Sequence, residues 1–296
     1  MLGLVAGATL TLTAHATNPV TVTDDEGREI TLAAPAQRIV SLAPHVTEVL
    51  FAAGAGSRIV GAVAYSDYPP EAADIPRVGG YMSIDLEAVA ALRPDLVIAW
   101  SSGNREAHLD KFAALGIPVF MNESRRLDDV AHSLERFGKL AGTEPEADAA
   151  ASAFRERHRQ LAERFSSQAP ITMFYQIWNE PLMTINGEHM ISDVITLCGG
   201  RNVFATLPQL APQIGTEAVL GAAPEVIVAS GMGEARPEWL DRWRDWRGLP
   251  AAEAGNLYFV PPDLIQRPTP RILDGAEIVC ESLDDARKKR IAASGR

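Results

Sequence analysis

Glu87-Ala-Val-Ala-Ala-Leu-Arg-Pro94-Asp95-Leu-Val-Ile-Ala99 aligns without a gap with Glu217-Ala-Val-Leu-Gly-Ala-Ala-Pro224-Glu225-Val-Ile-Val-Ala229. Each copy opens with a glutamate at a predicted helix start and continues as a short Ala/Leu-rich helix. Proline then stops the helix, because it cannot extend the backbone hydrogen bonding and restricts the residue before it. The apolar run that follows is short and β-branched, the pattern of a strand buried on both faces. The chain is therefore expected to be α/β, with two similar lobes that each carry a glutamate at an equivalent place. A molecule built this way has a cleft between its lobes and a matched pair of surface carboxylates.

Working outward, residues 18–36 read as strand-turn-strand, with Asp25-Glu26-Gly27 at the turn. Ile39 to Leu42 is a predicted strand, Thr47 to Ala53 a helix ended by Gly54, and Ile59 to Ala62 a second strand. Tyr65 to Tyr81 is a long polar loop; helices over Arg105–Ala114 and Leu127–Leu140 flank a strand at Val119-Phe120. Strands alternating with helices imply mostly parallel sheets covered on both faces. From Glu144 to Phe165 the composition is almost all Ala, Glu, Arg, Gln and His, with Phe154, Leu161 and Phe165 as sparse apolar points. That predicts one helix roughly 30 Å long, acting as a spine between lobes, with a surface helix of one large domain as the alternative.

The second lobe repeats the alternation. A strand is predicted at Ile171–Tyr175, a helix at Ile191–Cys198, a Trp-rich helix around Trp239, Trp243 and Trp246, and a strand at Leu257–Phe259. The loop Pro261–Pro270 and a final helix from Arg271 complete it. The expected layout is a signal peptide over 1–16, an N-terminal lobe over 17–143, a connecting helix over 144–167 and a C-terminal lobe over 168–296.

With 296 residues, 47% of them hydrophobic, the chain can bury a large core. A net charge of −11 with no basic block disfavours nucleic-acid binding. Met1 to Thr13 is apolar and small-residue-rich, and Ala14-His15-Ala16 supplies a signal-peptidase pattern. The expectation is export to the periplasm in soluble form, without direct membrane insertion; a buried N-terminal strand is the alternative. In an exported protein the two cysteines, Cys198 and Cys280, read as one disulfide or as two buried thiols.

Motifs for chemistry are scarce. There is no G-x-S-x-G elbow, no phosphate-cradling G-x-x-x-x-G-K and no histidine pair with metal-ligand spacing, so no resident cofactor or metal is expected. His45 follows the first strand, where open α/β sheets place ligands; it reads equally as a helix-start cap or a ligand contact. Tyr65, Tyr68, Tyr81, Trp100, Trp178, Met183, Asn186 and Arg267 all follow predicted strands. Together they suit a wide apolar cleft for a large flat ligand. A periplasmic hydrolase using Ser41 or His45 is the reading from a different class.

Tyr65-Ser-Asp-Tyr-Pro-Pro70, Glu87 through Pro94-Asp-Leu-Val-Ile-Ala-Trp100, Cys198-Gly-Gly and Pro270-Arg271 resemble the periplasmic vitamin B12-binding proteins of bacterial ABC importers. The resemblance runs from Arg38 to Leu283; the general lobe pattern is shared with haem- and siderophore-binding relatives. It implies two Rossmann-like lobes joined by one rigid helix, with a corrinoid between them as transported ligand. It also implies corrinoid contacts at Tyr65, Tyr81 and Trp100 and in the loop Asp263, Leu264, Ile265, Gln266 and Arg267. Glu87 and Glu217 would dock onto arginines of the permease dimer, with its ATPase subunits behind it, and Cys198 would pair with Cys280. The expected form is a monomer. Tyr81 stands where the best-known members carry tryptophan, and Ile177, Met183, Leu264 and Ile265 replace aromatics, so ring stacking is reduced. If the ligand were haem, His45, Tyr65 and Tyr81 would be the candidate axial donors.

Overall fold

The computed structural model describes residues 19–231 and 235–294; the expected signal peptide lies outside them. An antiparallel hairpin, β1 (Val20–Thr23) and β2 (Glu29–Leu32), opens the described chain. The first lobe then runs β3 (Ile39–Ser41), α1 (Pro44–Ala52), β4 (Ile59–Ala62), a small hairpin of β5 (Gly79–Gly80) and β6 (Ser83–Ile84), and α2 (Leu86–Ala91). It continues through β7 (Leu96–Trp100), α3 (Glu106–Ala114), β8 (Val119–Asn122) and α4 (Leu127–Ala141). After α5 (Glu144–Phe165) the second lobe runs β9 (Ile171–Gln176), α6 (Met190–Leu197), β10 (Gly200–Asn202), α7 (Thr216–Ala222) and β11 (Val226–Ala229). It closes with α8 (Pro250–Glu253), β12 (Leu257–Phe259), α9 (Pro262–Ile265) and α10 (Ile272–Ser294).

Each lobe holds a four-stranded parallel sheet, in the orders β4-β3-β7-β8 and β10-β9-β11-β12. The second strand of each lobe lies outside the first, and the third and fourth follow on its other side. The repeated sequence motif thus forms the same piece twice: α2 into β7, and α7 into β11. Asp95 accepts the backbone N–H groups of Gln37 and Arg38, at 2.8 and 2.9 Å, just ahead of β3. Glu225 accepts the N–H of Thr172 in β9 at 2.8 Å. The acidic residue after each proline therefore pins the start of the neighbouring first strand, which gives the Pro-acidic pair a physical reason.

Several details go beyond the sequence reading. The residues preceding the two prolines, Arg93 at φ 47° and Ala223 at φ 44°, are left-handed, because the chain must reverse sharply from helix into strand. The Trp-rich helix is of the 3₁₀ type and spans Glu238–Asp245. The Tyr65–Tyr81 loop contains a 3₁₀ turn over Pro70–Asp74 and the first strand of the small hairpin, and the Pro261–Pro270 loop contains α9.

The spine helix buries Ala147, Ala151, Phe154, Leu161 and Phe165, a stripe at helical spacing, with Pro145 in its first turn where an unsatisfied N–H is no loss. It packs closely on α4: a Cβ at Gly138 would lie 2.2 Å from that of Ala147, so only glycine fits. One hydrophobic core runs unbroken from Ile39 through Leu134 and Phe154 to Ile195 and Leu283. Both lobes are therefore built on the same core. Cys198, at the end of α6, is bridged to Cys280 on α10. Among the described residues no helix is long and apolar enough to cross a membrane.

Polar clamps add to this. Glu48 on α1 is almost fully buried and is met by the Arg271 guanidinium of the other lobe through two bonds, at 2.6 and 2.7 Å. The same guanidinium lies 3.6 Å from the Tyr68 ring centroid. The Asp193 carboxylate of α6 accepts the N–H of Leu127 at the start of α4, at 2.9 Å, and pairs with Arg126 at 3.1 Å. A carboxylate is favoured at that helix end.

Two measurements test this frame. Arg271→Met strands the buried Glu48 carboxylate and should cost about 3–5 kcal/mol in denaturant unfolding. Adding Glu48→Leu should recover most of that loss. Intact mass after alkylation should show both thiols blocked only when reductant is added, and reduction should cost roughly 4 kcal/mol in the chain-entropy account.

Candidate functional site

The C-terminal ends of the strands of both lobes face one cleft. From the first lobe come Pro44 and His45 after β3, Tyr65 after β4, Trp100 at the end of β7, and Ser124 and Arg125 after β8. From the second come His189 and Met190 after β9, Leu210 after β10, and the segment Pro262–Pro268 after β12. Ligands of open α/β sheets bind outside such strand ends. The cleft has an outer chamber of about 220 Å³ and an inner one of about 70 Å³, joined through Trp100, Gln266 and Pro268.

The outer chamber is aromatic. The Trp100 indole meets Tyr81 at a ring separation of 5.8 Å and is approached edge-on by His45 at 5.4 Å. Asn104 fixes this wall: its amide donates to the carbonyls of Leu42 and Tyr81, at 3.0 and 2.8 Å, and its oxygen accepts the backbone N–H of Trp100 at 2.7 Å. Gly103 is obligatory beside it, since a Cβ there would lie 1.9 Å from the Trp100 ring. Tyr65 sits at the mouth, 74% exposed and at φ 65°, a left-handed conformation unusual for a ring-bearing residue. Backbone strain of this sort gathers at ligand sites.

The opposite wall is polar. The Arg267 guanidinium reaches across the cleft to Asp67 at 2.8 Å and is braced by Asp263 of its own segment at 3.0 Å. Gln266 donates to the Ser230 hydroxyl, which is itself bonded to the buried Tyr175 hydroxyl at 2.7 Å, so a chain of side chains below the floor sets its amide. His45 is buried; burial first, and the nearby Arg267 charge after it, lower its pKa to about 4 against the opposing Asn122 side chain. Its Nε2 is buried without a hydrogen-bond partner among the described residues. Burial likewise lowers His189 to about 4. Both imidazoles are therefore neutral at pH 7.

Of the residues expected at the site, the fold brings Tyr65, Tyr81, Trp100, Asp263, Gln266 and Arg267 to the outer chamber, with Trp100 and Gln266 shared with the inner one. Ile265 is 1% exposed and forms the back of the inner chamber as part of the core. Leu264, Trp178, Met183 and Asn186 line neither chamber. Instead the Trp178 indole N–H donates to the Glu180 carbonyl at 2.9 Å, and the Asn186 amide donates to that of Leu207 at 3.1 Å. Glu87 and Glu217 are exposed, each the second residue of its helix, and neither forms an ion pair among the described residues. Ser41 is buried, donates to the Ala43 carbonyl at 3.1 Å and accepts from Thr47 at 2.7 Å, and it makes no bond to His45. Among the described residues no group of three or more His, Cys, Asp or Glu is gathered to hold a metal ion.

Sequence reasoning missed Asn104, Asp67, Arg125, His189 and the Tyr175–Ser230 support. Asp67, Asn104 and the Tyr175–Ser230 pair bond residues distant in the chain, whereas Arg125 and His189 have near neighbours as partners, Glu123 and the Ile191 N–H, but belong to no motif. Position after a strand end was the one usable signal, and in the second lobe it was applied to Trp178, Met183 and Asn186 rather than to His189.

The chain belongs to the periplasmic binding protein family, which residues 39–264 match. It is 38% identical to a vitamin B12-binding protein of Vibrio cholerae over 86% of this chain and 92% of that one. A similar protein of Photorhabdus laumondii, also named vitamin B12-binding, is 35% identical over 84% of this chain and 88% of its own. The solved structure of the periplasmic vitamin B12-binding protein of Vibrio cholerae superposes with a TM-score of 0.80 at 37% identity, covering 86% of this chain and 99% of that one. The periplasmic haem-binding protein of Roseiflexus shares the fold at a TM-score of 0.73 and 22% identity, covering 85% and 99%.

Proposed function

We propose that this periplasmic binding protein captures cobalamin or a related corrinoid between its lobes and delivers it to an ABC importer. The observation that carries the reading is the cleft itself: an aromatic wall of Tyr65, Tyr81 and Trp100 faces Gln266 and Arg267 on the other lobe. The chain's likeness to the vitamin B12-binding proteins supports the same ligand. The binding is without chemistry, and the two neutral histidines serve recognition rather than proton transfer.

The chambers, about 220 and 70 Å³, are small beside the roughly 300–1,000 Å³ of pockets that enclose drug-sized ligands. A corrinoid therefore sits astride the mouth, its face against the aromatic wall, and the Arg267–Asp67 bridge must yield to it. That bridge is the weak one: Asp67 is half exposed, whereas the Glu48 of the Arg271 clamp is buried. Closure is correspondingly local, because the spine helix and shared core resist a wide hinge.

Glu87 and Glu217 are the docking pair of this reading. Both carboxylates are exposed and without an ion pair among the described residues, on helices that precede the equivalent strand of each sheet, so they can engage a two-fold permease together. Linked contacts reinforce one another.

Calorimetry at micromolar protein should show one-to-one binding of cyanocobalamin or dicyanocobinamide. Heat with haem and with neither corrinoid would replace this reading by a haem carrier, with His45, Tyr65 or Tyr81 as the axial donor. A second expectation concerns delivery. Glu87→Ala with Glu217→Ala should leave corrinoid affinity unchanged, shift stability by no more than about 1 kcal/mol per site, and abolish transport in reconstituted vesicles. Normal transport by the stable double variant would reduce both glutamates to helix-start residues.

A further inference from the structure

His45 and His189 open equivalent helices, each the helix that follows the first strand of its lobe, and both reach the cleft from opposite sides. His189 differs in how its ring is held. It is the N-cap of α6, and its Nδ1 accepts the backbone N–H of Ile191 at 3.1 Å. A nitrogen that accepts an N–H bond carries no proton, so the neutral ring must bear its proton on Nε2. That nitrogen makes no hydrogen bond among the described residues, and the ring lines the inner chamber. Capping fixes the tautomer, and the tautomer leaves an uncommitted donor on a ring that lines the cleft. It also removes metal coordination from the options, since the lone pair of the neutral ring is already used.

The surroundings of that donor have a consistent character. The inner chamber is lined by Ser124, Arg125, His189 and Gln266 among apolar neighbours, and no carboxylate lines it. Arg125 supplies further donors. Gln266 gives one amide N–H to Ser230 and keeps its carbonyl oxygen as an acceptor. With no carboxylate in the lining, the Arg125 guanidinium and the His189 Nε2–H are the donors left to a ligand, and what fits beside them is an oxygen with lone pairs.

We infer that His189, through Nε2–H and beside Arg125, is a specificity-determining contact that binds an acceptor oxygen on the rim of the transported ligand. The inference rests on the corrinoid reading above. A corrinoid offers two such oxygens: the carbonyls of its peripheral amides, and the phosphodiester of the nucleotide loop. Cobinamide has the first and lacks the second.

His189→Asn separates the two duties of the side chain. Asparagine is among the best N-caps, so α6 keeps its cap, but its amide is too short to reach the cleft. The variant should melt within a few degrees of wild type and lose about tenfold in affinity. Loss for both cyanocobalamin and dicyanocobinamide assigns the contact to an amide carbonyl. Loss for cyanocobalamin alone assigns it to the phosphodiester. Wild-type affinity for both ligands in a folded variant overturns the inference while leaving the corrinoid reading intact. Absence of corrinoid binding by the wild type overturns both. Should the variant not fold, nitrogen-proton correlation spectra of wild-type imidazoles decide. The expected result is a neutral His189 with the proton on Nε2, whose resonance moves when cyanocobalamin is added; a Nδ1 proton or an unmoved resonance overturns the inference.

Discussion

Among the described residues Glu48 has one charged partner, and it belongs to the other lobe. A carboxylate taken out of water is tolerated only when paired and hydrogen-bonded, so the Arg271 guanidinium has to stand over α1 wherever the second lobe goes. With Tyr68 beneath the guanidinium and Asp193 at the start of α4, the clamp holds the two sheets with their strand ends facing. The cleft follows from that constraint. Without it the lobes would still share a core through the spine helix, but Glu48 would be left buried and unpaired beside the cleft.

The internal repeat supplies the walls economically. Two sheets with the same strand order put loops of the same origin on both sides of one gap, and each loop was free to acquire different side chains. The first lobe took rings, Tyr65, Tyr81 and Trp100; the second took Asp263, Gln266 and Arg267. The histidines after the two first strands show the repeat diverging in detail. One ring is packed edge-on against Trp100, with an unpartnered nitrogen; the other is turned by its own helix cap. A large flat ligand gains from such a division, since one wall can stack and the other can hydrogen-bond.

Rigidity and release are assigned to different ion pairs. The Arg271–Glu48 contact is shielded, and breaking it leaves a buried charge. The Arg267–Asp67 contact lies at the mouth with one partner half exposed, where such a pair contributes little to stability. A ligand can therefore compete with the second without disturbing the first. This fits a carrier that must hold its cargo and also give it up.

The sequence by itself determined the two-lobe α/β plan, the spine helix, the matched glutamates and the aromatic residues at the cleft, while Asp263, Ile265 and Gln266 entered through the family resemblance. The former are written in local pattern: β-branched runs, helix-ending prolines, a repeated motif and aromatic residues after strand ends. It determined poorly what depends on the path of the backbone between elements, as in the left-handed Arg93 and Ala223, the 3₁₀ turns of the tryptophan-rich segment, and the near-complete burial of Ile265 at the back of the inner chamber. Tertiary structure alone decided the polar partnerships. Glu48 with Arg271, Asp67 with Arg267, Asn104 with Tyr81 and Asp193 with Leu127 join residues far apart in the chain, and a single charged or amide side chain carries no mark of its partner. Hydrophobic periodicity is a property of neighbours and can be read in a line; a hydrogen bond between lobes exists only once the core has brought them together.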